Sequence, residues 1–244
     1  TLRQGLEVGG AFTFVVLLLL NALEQLEGAA LSVLAPDIRD AFNVSSGVIV
    51  FISAAAGGFL VLGAVPMGWL ADRYNRPRIV GIASLVFSAM VACSGLAVNA
   101  FTLFLARFGV GIARSNTLPV HGSLIADTYP IGVRGRLSAT TMGAGLVIAA
   151  ISPVLVGGIA DLAGGANGWR WAFFVLGIPV LGAAFLAFRI REAPRGQFEM
   201  KDVLGEVIDT TPVAMSMESV FSRLKQIRTL RTVMLAFAAI GFGL

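Results

Sequence analysis

Cysteine and histidine are almost absent from this sequence, with Cys93 and His121 as the single examples among 244 residues. One cysteine excludes a disulfide framework within the chain. So few soft or imidazole ligands argue against a metal site. A nucleophile paired with a base near one surface cannot be assembled from them either. We therefore expect no metal, no cofactor and no enzymatic activity.

Charged residues are also scarce. They make up 13% of the sequence, whereas 57% of the residues are hydrophobic. This composition is typical of a membrane protein with several spans. A bilayer is crossed by about 20 apolar residues in a helix, and runs of that length occur at 11–34, 47–71, 79–97, 101–126, 138–162 and 170–190. We predict an all-α membrane protein, with a six-helix bundle over residues 1–190.

The remaining residues divide into two predicted parts. Residues 191–231 form a loop between bundles, and residues 232–244 are the start of a seventh, truncated helix. Within the loop, a helix is expected to begin near Asp209-Thr-Thr-Pro212. Its apolar side chains recur at helical spacing and predict an amphipathic helix on a membrane surface or against the bundle: Met217, Val220, Phe221, Leu224 and Ile227. A disordered linker is the alternative.

Basic residues are distributed unevenly between the predicted connections. With the N-terminus in the cytoplasm, 14 of the 18 Lys and Arg residues fall on the cytoplasmic side, and only Arg39 and Arg170 fall outside. This asymmetry predicts a multi-pass protein of the cytoplasmic membrane with a cytoplasmic N-terminus. It also explains the net charge of +4 without a nucleic-acid partner. Membrane lipids are the partners that the charge favours.

The first and fourth predicted spans carry polar and charged side chains, which are costly in a bilayer and normally face a cavity or a partner. The first span contributes Asn21, Glu24, Gln25 and Glu27, and the fourth contributes Arg107, Arg114 and His121 at intervals of seven. Residues seven apart lie on nearly the same side of a helix. We predict a shared pocket in which Glu27, or else Glu24, carries a proton. The two arginines would then act as its counter-charges or bind an anionic substrate group. His121 is a weaker candidate for a relay. A fixed ion-pair network that only orients helices is the alternative.

The connection between the second and third runs is short and highly charged. It contains Gly68, Asp72 and three arginines, Arg73, Arg76 and Arg78. Gly68 permits close approach of another helix. Asp72 can reach an arginine or the positive N-terminus of a neighbouring helix. The alternative interpretation is a loop whose only role is to set membrane topology, since such a loop would also be basic.

The order of these residues resembles the loop between the second and third helices of major facilitator superfamily transporters, Gly-x-x-x-Asp-Arg/Lys-x-Gly-Arg-Arg/Lys, from which Asn75 and Pro77 depart. Arg107-Phe-Gly-Val-Gly-Ile is similar to the family's fourth-helix motif, whose arginine is linked to proton transfer. Asp127 lies where the family has an acid that joins the network of Asp72 and Arg76. Spinster-like lipid transporters are the most similar subfamily, with an aspartate at the position of Glu27. They tend to have arginine in place of Gly28 and glutamate in place of Arg114, so the substrate is not carried over.

The resemblance implies the N-terminal half of a secondary active transporter that works by alternating access and is coupled to protons. Its cargo would be a small molecule, lipid-like or amphiphilic. The Asp72 loop would form an inner gate against a C-terminal bundle that this sequence does not contain. The alternative is a polytopic sensor or regulatory module that uses a transporter-like half as a binding scaffold.

Overall fold

A computed structural model describes residues 2–207, 215–229 and 232, with side chains from residue 5 onward. The described residues form helices and short connections, with no β-strand among them. They belong to two compact units, residues 1–209 and residues 210–244.

In the part of the first unit that the structure describes, there are eleven α-helices and one π-helical turn. They are α1 (Leu2–Gly9), α2 (Ala11–Gly28), α3 (Ala30–Val33), α4 (Ala35–Phe42), α5 (Ser46–Arg73), α6 (Arg76–Gly95), α7 (Ala100–Arg114), the π-helical turn Thr117–His121, α8 (Gly122–Thr128), α9 (Ile131–Ala163), α10 (Gly168–Ala187) and α11 (Gln197–Leu204).

Among the described residues, five helical segments are long and apolar enough to cross a membrane: Ala11–Val33, Ser46–Arg73, Arg76–Gly95, Ile131–Ala163 and Gly168–Ala187. The continuous helix predicted for residues 101–126 is instead divided into α7, the π-helical turn and α8. Two side chains in the break donate hydrogen bonds to backbone carbonyls of the preceding turn. Ser115 Oγ donates to the carbonyl of Ile112, and Asn116 Nδ2 donates to the carbonyl of Ala113, each at 2.6 Å. Pro119 then removes a backbone donor.

The connection between α5 and α6 is shorter than the six residues predicted, because α6 already begins at Arg76. Asn75 is its N-cap, with Oδ1 accepting the backbone N–H of Arg78 at 3.0 Å. Pro77 follows in the first turn, where a missing N–H costs nothing. The two departures from the family pattern are thus the residues that start this helix.

Helix α7 packs against both α5 and α6, and α10 packs against α6, α9 and α2. A Cβ on Gly111 would overlap the carbonyl oxygen of Ala56, and one on Gly63 would overlap Ser115. Gly68 has more room, since its Cβ would lie 3.7 Å from Pro119. Close packing of α5 on α7 therefore depends on Gly63 and Gly111, whereas a methyl group at Gly68 would fit in van der Waals contact with Pro119.

The second unit contains helix α12, Met217–Gln226, which begins after Ser216. The Ser216 hydroxyl caps the helix by accepting the N–H of Ser219 at 3.2 Å. Four of the five residues predicted at helical spacing lie in α12, and Ile227 follows its end. The predicted start at Asp209–Pro212, and the seventh helix at 232–244 apart from Thr232, lie outside the described residues.

Candidate functional site

A cleft of about 170 Å³ opens between α2, α3, α5 and α7. Its charged lining comes from the two helices that carry ionisable residues at span depth, and α5 supplies small and apolar side chains. The lining residues are Glu27, Gly28, Leu31, Ser32, Ser53, Ala56, Gly57, Leu60, Arg107, Val110, Gly111 and Arg114. Two of the predicted pocket cations and one predicted acid therefore meet in one cavity.

Glu27 and Arg107 form a buried ion pair at this cleft. Glu27 Oε1 accepts a hydrogen bond from Arg107 Nη1, and the two side chains are 1% and 4% exposed. The Arg107 guanidinium also lies over the ring of Phe173 in α10, with its central carbon 4.5 Å from the ring centroid. Glu27 Oε2 and the Nε and Nη2 atoms of Arg107 have no hydrogen-bond partner among the described residues. The pair thus compensates both charges, but two donor nitrogens of Arg107 and one carboxylate oxygen of Glu27 remain available for further hydrogen bonds.

Glu24 lies one turn earlier on α2 and is also buried. Its Oε2 accepts a hydrogen bond from the Thr117 hydroxyl at 2.8 Å, and the positive charge of Arg114 lies close enough to interact with it. The Arg114 guanidinium passes directly over Gly28, because a Cβ added there would lie 2.9 Å from Arg114 Nη1. The two acids of α2 therefore lie opposite the two arginines of α7.

The other predicted pocket residues lie elsewhere. Asn21 and Gln25 face α9, where an added Cβ on Gly145 would be 3.3 Å from Asn21 Oδ1 and 3.4 Å from Gln25 Cγ. His121 is buried in the π-helical turn, and its Nε2 has no partner among the described residues. None of the three lines the cleft. The change of pitch after Arg114 interrupts the stripe predicted for Arg107, Arg114 and His121.

A second charged cluster lies at the end of the bundle where α5 is connected to α6, which we call the loop end. Arg76 is its centre and is only 3% exposed. Its guanidinium pairs with Asp127 of α8 and with Glu192, whose Oε1 is 3.1 Å from Arg76 Nε. Arg76 Nη2 also donates to the carbonyl of Ala193 at 3.1 Å. The resemblance to the family motif predicted Arg76 and Asp127 as part of a charged network, but Glu192 was not predicted.

The segment after α10 closes over this cluster. Arg195 donates to the last carbonyls of α5, those of Ala71 at 2.7 Å, Tyr74 at 3.3 Å and Asp72. The Gly196 N–H donates to Asp127 Oδ1 at 2.8 Å, and the Gln197 amide donates to the Asp127 carbonyl. A cation that satisfies the free carbonyls at a helix C-terminus is favourable. The Glu192-Ala-Pro-Arg195 turn was visible in the sequence but gave no indication of its partners.

The remaining loop-end residues point outward. The Asp72 carboxylate is exposed and makes no hydrogen bond or ion pair with a described residue. It is therefore outside the network that the resemblance implied for it. Arg73 stacks on Trp69, with its guanidinium carbon 4.0 Å from the ring centroid, and Arg78 is exposed.

Nearby, Arg134 pairs with Glu199. This hydrogen bond holds the pKa of the Glu199 carboxyl below its usual value. The carboxylate is half exposed, so the pair contributes little to stability.

Comparison with known proteins gives the class and then the family. Several long apolar helices are typical of a multi-pass integral membrane protein. The sequence model of the Major Facilitator Superfamily matches residues 17–244. The chain belongs to this superfamily.

The individual relatives are more distant. The chain is 30% identical over 198 residues to protein spinster homolog 1 of Xenopus laevis, covering 77% of this chain and 36% of that protein. It is 32% identical over 182 residues to the lincomycin resistance protein of Streptomyces lincolnensis, covering 72% and 35%. Its fold is similar to the crystal structure of a bacterial homolog of the human lysosomal transporter Spinster, in an inward-facing and occupied conformation. That match has a TM-score of 0.66 and 25% identity, and covers 80% of this chain and 47% of the other. The chain thus spans about a third of the length of the curated relatives it matches.

Proposed function

We propose that this chain is the N-terminal half of a proton-coupled secondary transporter, and that Glu27 carries the proton. The buried Glu27–Arg107 pair at the cleft is the observation on which this proposal depends. In a bilayer an ionisable pair of this kind is expensive, and such residues commonly mark ion or proton pathways.

The proposed coupling follows from charge balance in the cleft. While Glu27 is ionised, it neutralises Arg107. When Glu27 takes up a proton, the hydrogen bond weakens and the guanidinium is left with an uncompensated positive charge. An anionic group of the substrate can then replace the carboxylate. Proton binding would thereby favour anion binding, and loss of either would restore the original pair.

The substrate we propose is a small amphiphile with an anionic group. Arg114 lines the cleft, and no described residue hydrogen-bonds to its guanidinium. Guanidinium groups suit carboxylate or phosphate. Apolar side chains of Leu31, Leu60 and Val110 form the rest of the wall and would contact the lipid-like part. The similarity to spinster homologues does not identify the compound.

We propose, from the positive-inside rule, that the loop end and the N-terminus lie in the cytoplasm, and that the protein resides in the cytoplasmic membrane. A second six-helix bundle would close the cleft, with the two halves rocking about it. The family membership favours this transporter over a regulatory module built on the same half.

The function is tested with the full-length protein, containing both halves, in proteoliposomes. Carboxylate- and phosphate-bearing amphiphiles would be offered with and without an inward or outward pH gradient. We expect at least one of them to accumulate against its concentration gradient only when the pH gradient is imposed. Transport that ignores the pH gradient would contradict proton coupling. An absence of uptake for every compound offered would contradict a transporter of anionic amphiphiles.

The exposed Asp72 is proposed to latch the cytoplasmic side by contacting the second bundle. Replacing Asp72 with alanine in the full-length protein should shift the resting population toward the inward-open state. Accessibility labelling of single cysteines at the loop end measures that shift, on a background in which Cys93 is replaced by serine. Asp202→Ala, which removes another exposed carboxylate at the loop end, is the matched control. Equal labelling of the Asp72→Ala variant and the parent would rule out the latch.

A further inference from the structure

A second cavity, an apolar groove, lies at the loop end outside the charged cleft. It has a volume of about 480 Å³, within the range of about 300–1,000 Å³ typical of small-molecule sites. Its floor is formed by the buried Ala83 of α6 and Ala113 of α7, and its walls include Leu70, Ile82 and Val86. Tyr74 and Arg78 lie at one end.

The groove and the cleft open on different sides of α7. At 3.6 residues per turn, Ile112 and Ala113 lie about opposite to Arg107 and Gly111, which line the cleft. A ligand in the groove would therefore not compete with a substrate in the cleft. Ile82 and Val86 on the walls of the groove are 56% and 43% exposed, as expected for a surface that faces lipid.

The polar end of the groove carries a positive charge with no described partner. The backbone N–H of Arg78 is used in the Asn75 cap, but its guanidinium is exposed and makes no hydrogen bond or ion pair with a described residue. Tyr74, which is 59% exposed, lines the same groove and carries a phenolic hydroxyl. Arginine and tyrosine at the end of a span lie at the depth of lipid headgroups.

We propose that this groove binds one acyl chain of an anionic phospholipid, with the lipid phosphate at Arg78 and Tyr74. The apolar groove accounts for the chain, and the unpaired guanidinium at its end accounts for the anionic headgroup. A docked protein helix would bury the groove but leave the Arg78 charge without a counter-ion. Charge complementarity therefore selects the lipid.

The test is lipid retention by the full-length protein in detergent, measured by native mass spectrometry. Phosphatidylglycerol and phosphatidylcholine with identical chains are offered in competition, and inorganic phosphate is offered alone. We expect a preference for phosphatidylglycerol that falls about fivefold in Arg78→Gln, corresponding to about 1 kcal/mol for one basic residue. Arg136→Gln, which neutralises an exposed arginine of α9, should keep the preference.

A second pair of variants tests the chain-binding part. Ala83→Leu should fill the floor of the groove and reduce retention of both lipids severalfold, whereas Ala139→Leu on the exposed face of α9 should not. Equal retention of the two lipids by the parent, or an unchanged preference in Arg78→Gln, would overturn the proposal. Binding of phosphate alone as strongly as the lipid would show a simple anion site and overturn it as well. So would a dimer that forms through this face and is broken by Ala83→Leu.

Discussion

Replacing Arg107 with glutamine should destabilise the bundle by about 3–5 kcal/mol, the typical cost of leaving one member of a buried ion pair without its partner. Glu27 would remain 1% exposed without its cation, and Phe173 would lose the guanidinium stacked on its ring. We expect the melting temperature in detergent to fall by roughly 10 °C. Thermal unfolding followed by tryptophan fluorescence measures the change.

A double variant separates the ion pair from ordinary packing. Arg107→Gln combined with Glu27→Gln removes both charges and keeps side chains that can hydrogen-bond, so much of the lost stability should return. Arg136→Gln, the same substitution at an exposed site, should change the melting temperature little. If Arg107→Gln unfolds at the temperature of the parent, the pair does not contribute to the fold as described.

Arg76 is the second position at which a large loss of stability is expected. Arg76→Gln should cost about 3 kcal/mol, at the lower end for a buried pair. The reason for the smaller value is that the carboxylates left behind, Asp127 and Glu192, are 13% and 24% exposed. Two acids would then face each other beside α5 and α6. We expect a lower melting temperature and faster proteolysis in the 192–197 segment.

Neutralising the two acids in the same protein supplies the control. Asp127→Asn with Glu192→Gln should recover part of the stability lost in Arg76→Gln, because the repulsion between the carboxylates is removed. No recovery would indicate that Arg76 acts through its backbone contacts and packing alone. An unaltered cleavage pattern in Arg76→Gln would contradict the closing role of the segment after α10.

The helical fold was predictable because backbone groups in a bilayer must be satisfied within a helix, so each long apolar run predicts a span. The break inside residues 101–126 depends on local chemistry that hydropathy does not register. Ser115 and Asn116 compete with the backbone, and Pro119 lacks a donor. Similarly, Asn75 followed by Pro77 is a helix start in its own right. Because Asn75 and Pro77 were considered only as departures from the family motif, their role in starting a helix was not predicted.

The charged cleft was predictable in part. Helical spacing predicted Arg107 and Arg114 on one side of α7, and both line the cleft. The shortage of other charges at span depth left Glu24 and Glu27 as the acids that could face them. Which neighbour each face of α2 meets could not be read from α2 alone, and Asn21 and Gln25 turned out to face α9 at Gly145.

The loop-end cluster was harder to predict. Glu192 lies 116 residues from Arg76 along the chain. Nothing in the local sequence indicates that contact. The roles of all these residues in transport remain predictions.

The most direct test of the account is a comparison of two transport modes in the Glu27→Gln variant of the full-length protein. Counterflow of substrate needs binding and rocking but no net proton movement, whereas substrate-driven proton flux needs the carboxyl. We predict that Glu27→Gln retains counterflow and loses proton flux, while Glu206→Gln, the same change at an exposed site, retains both. Substrate-driven proton flux at the parent rate in Glu27→Gln would contradict the assignment of Glu27 as the proton carrier.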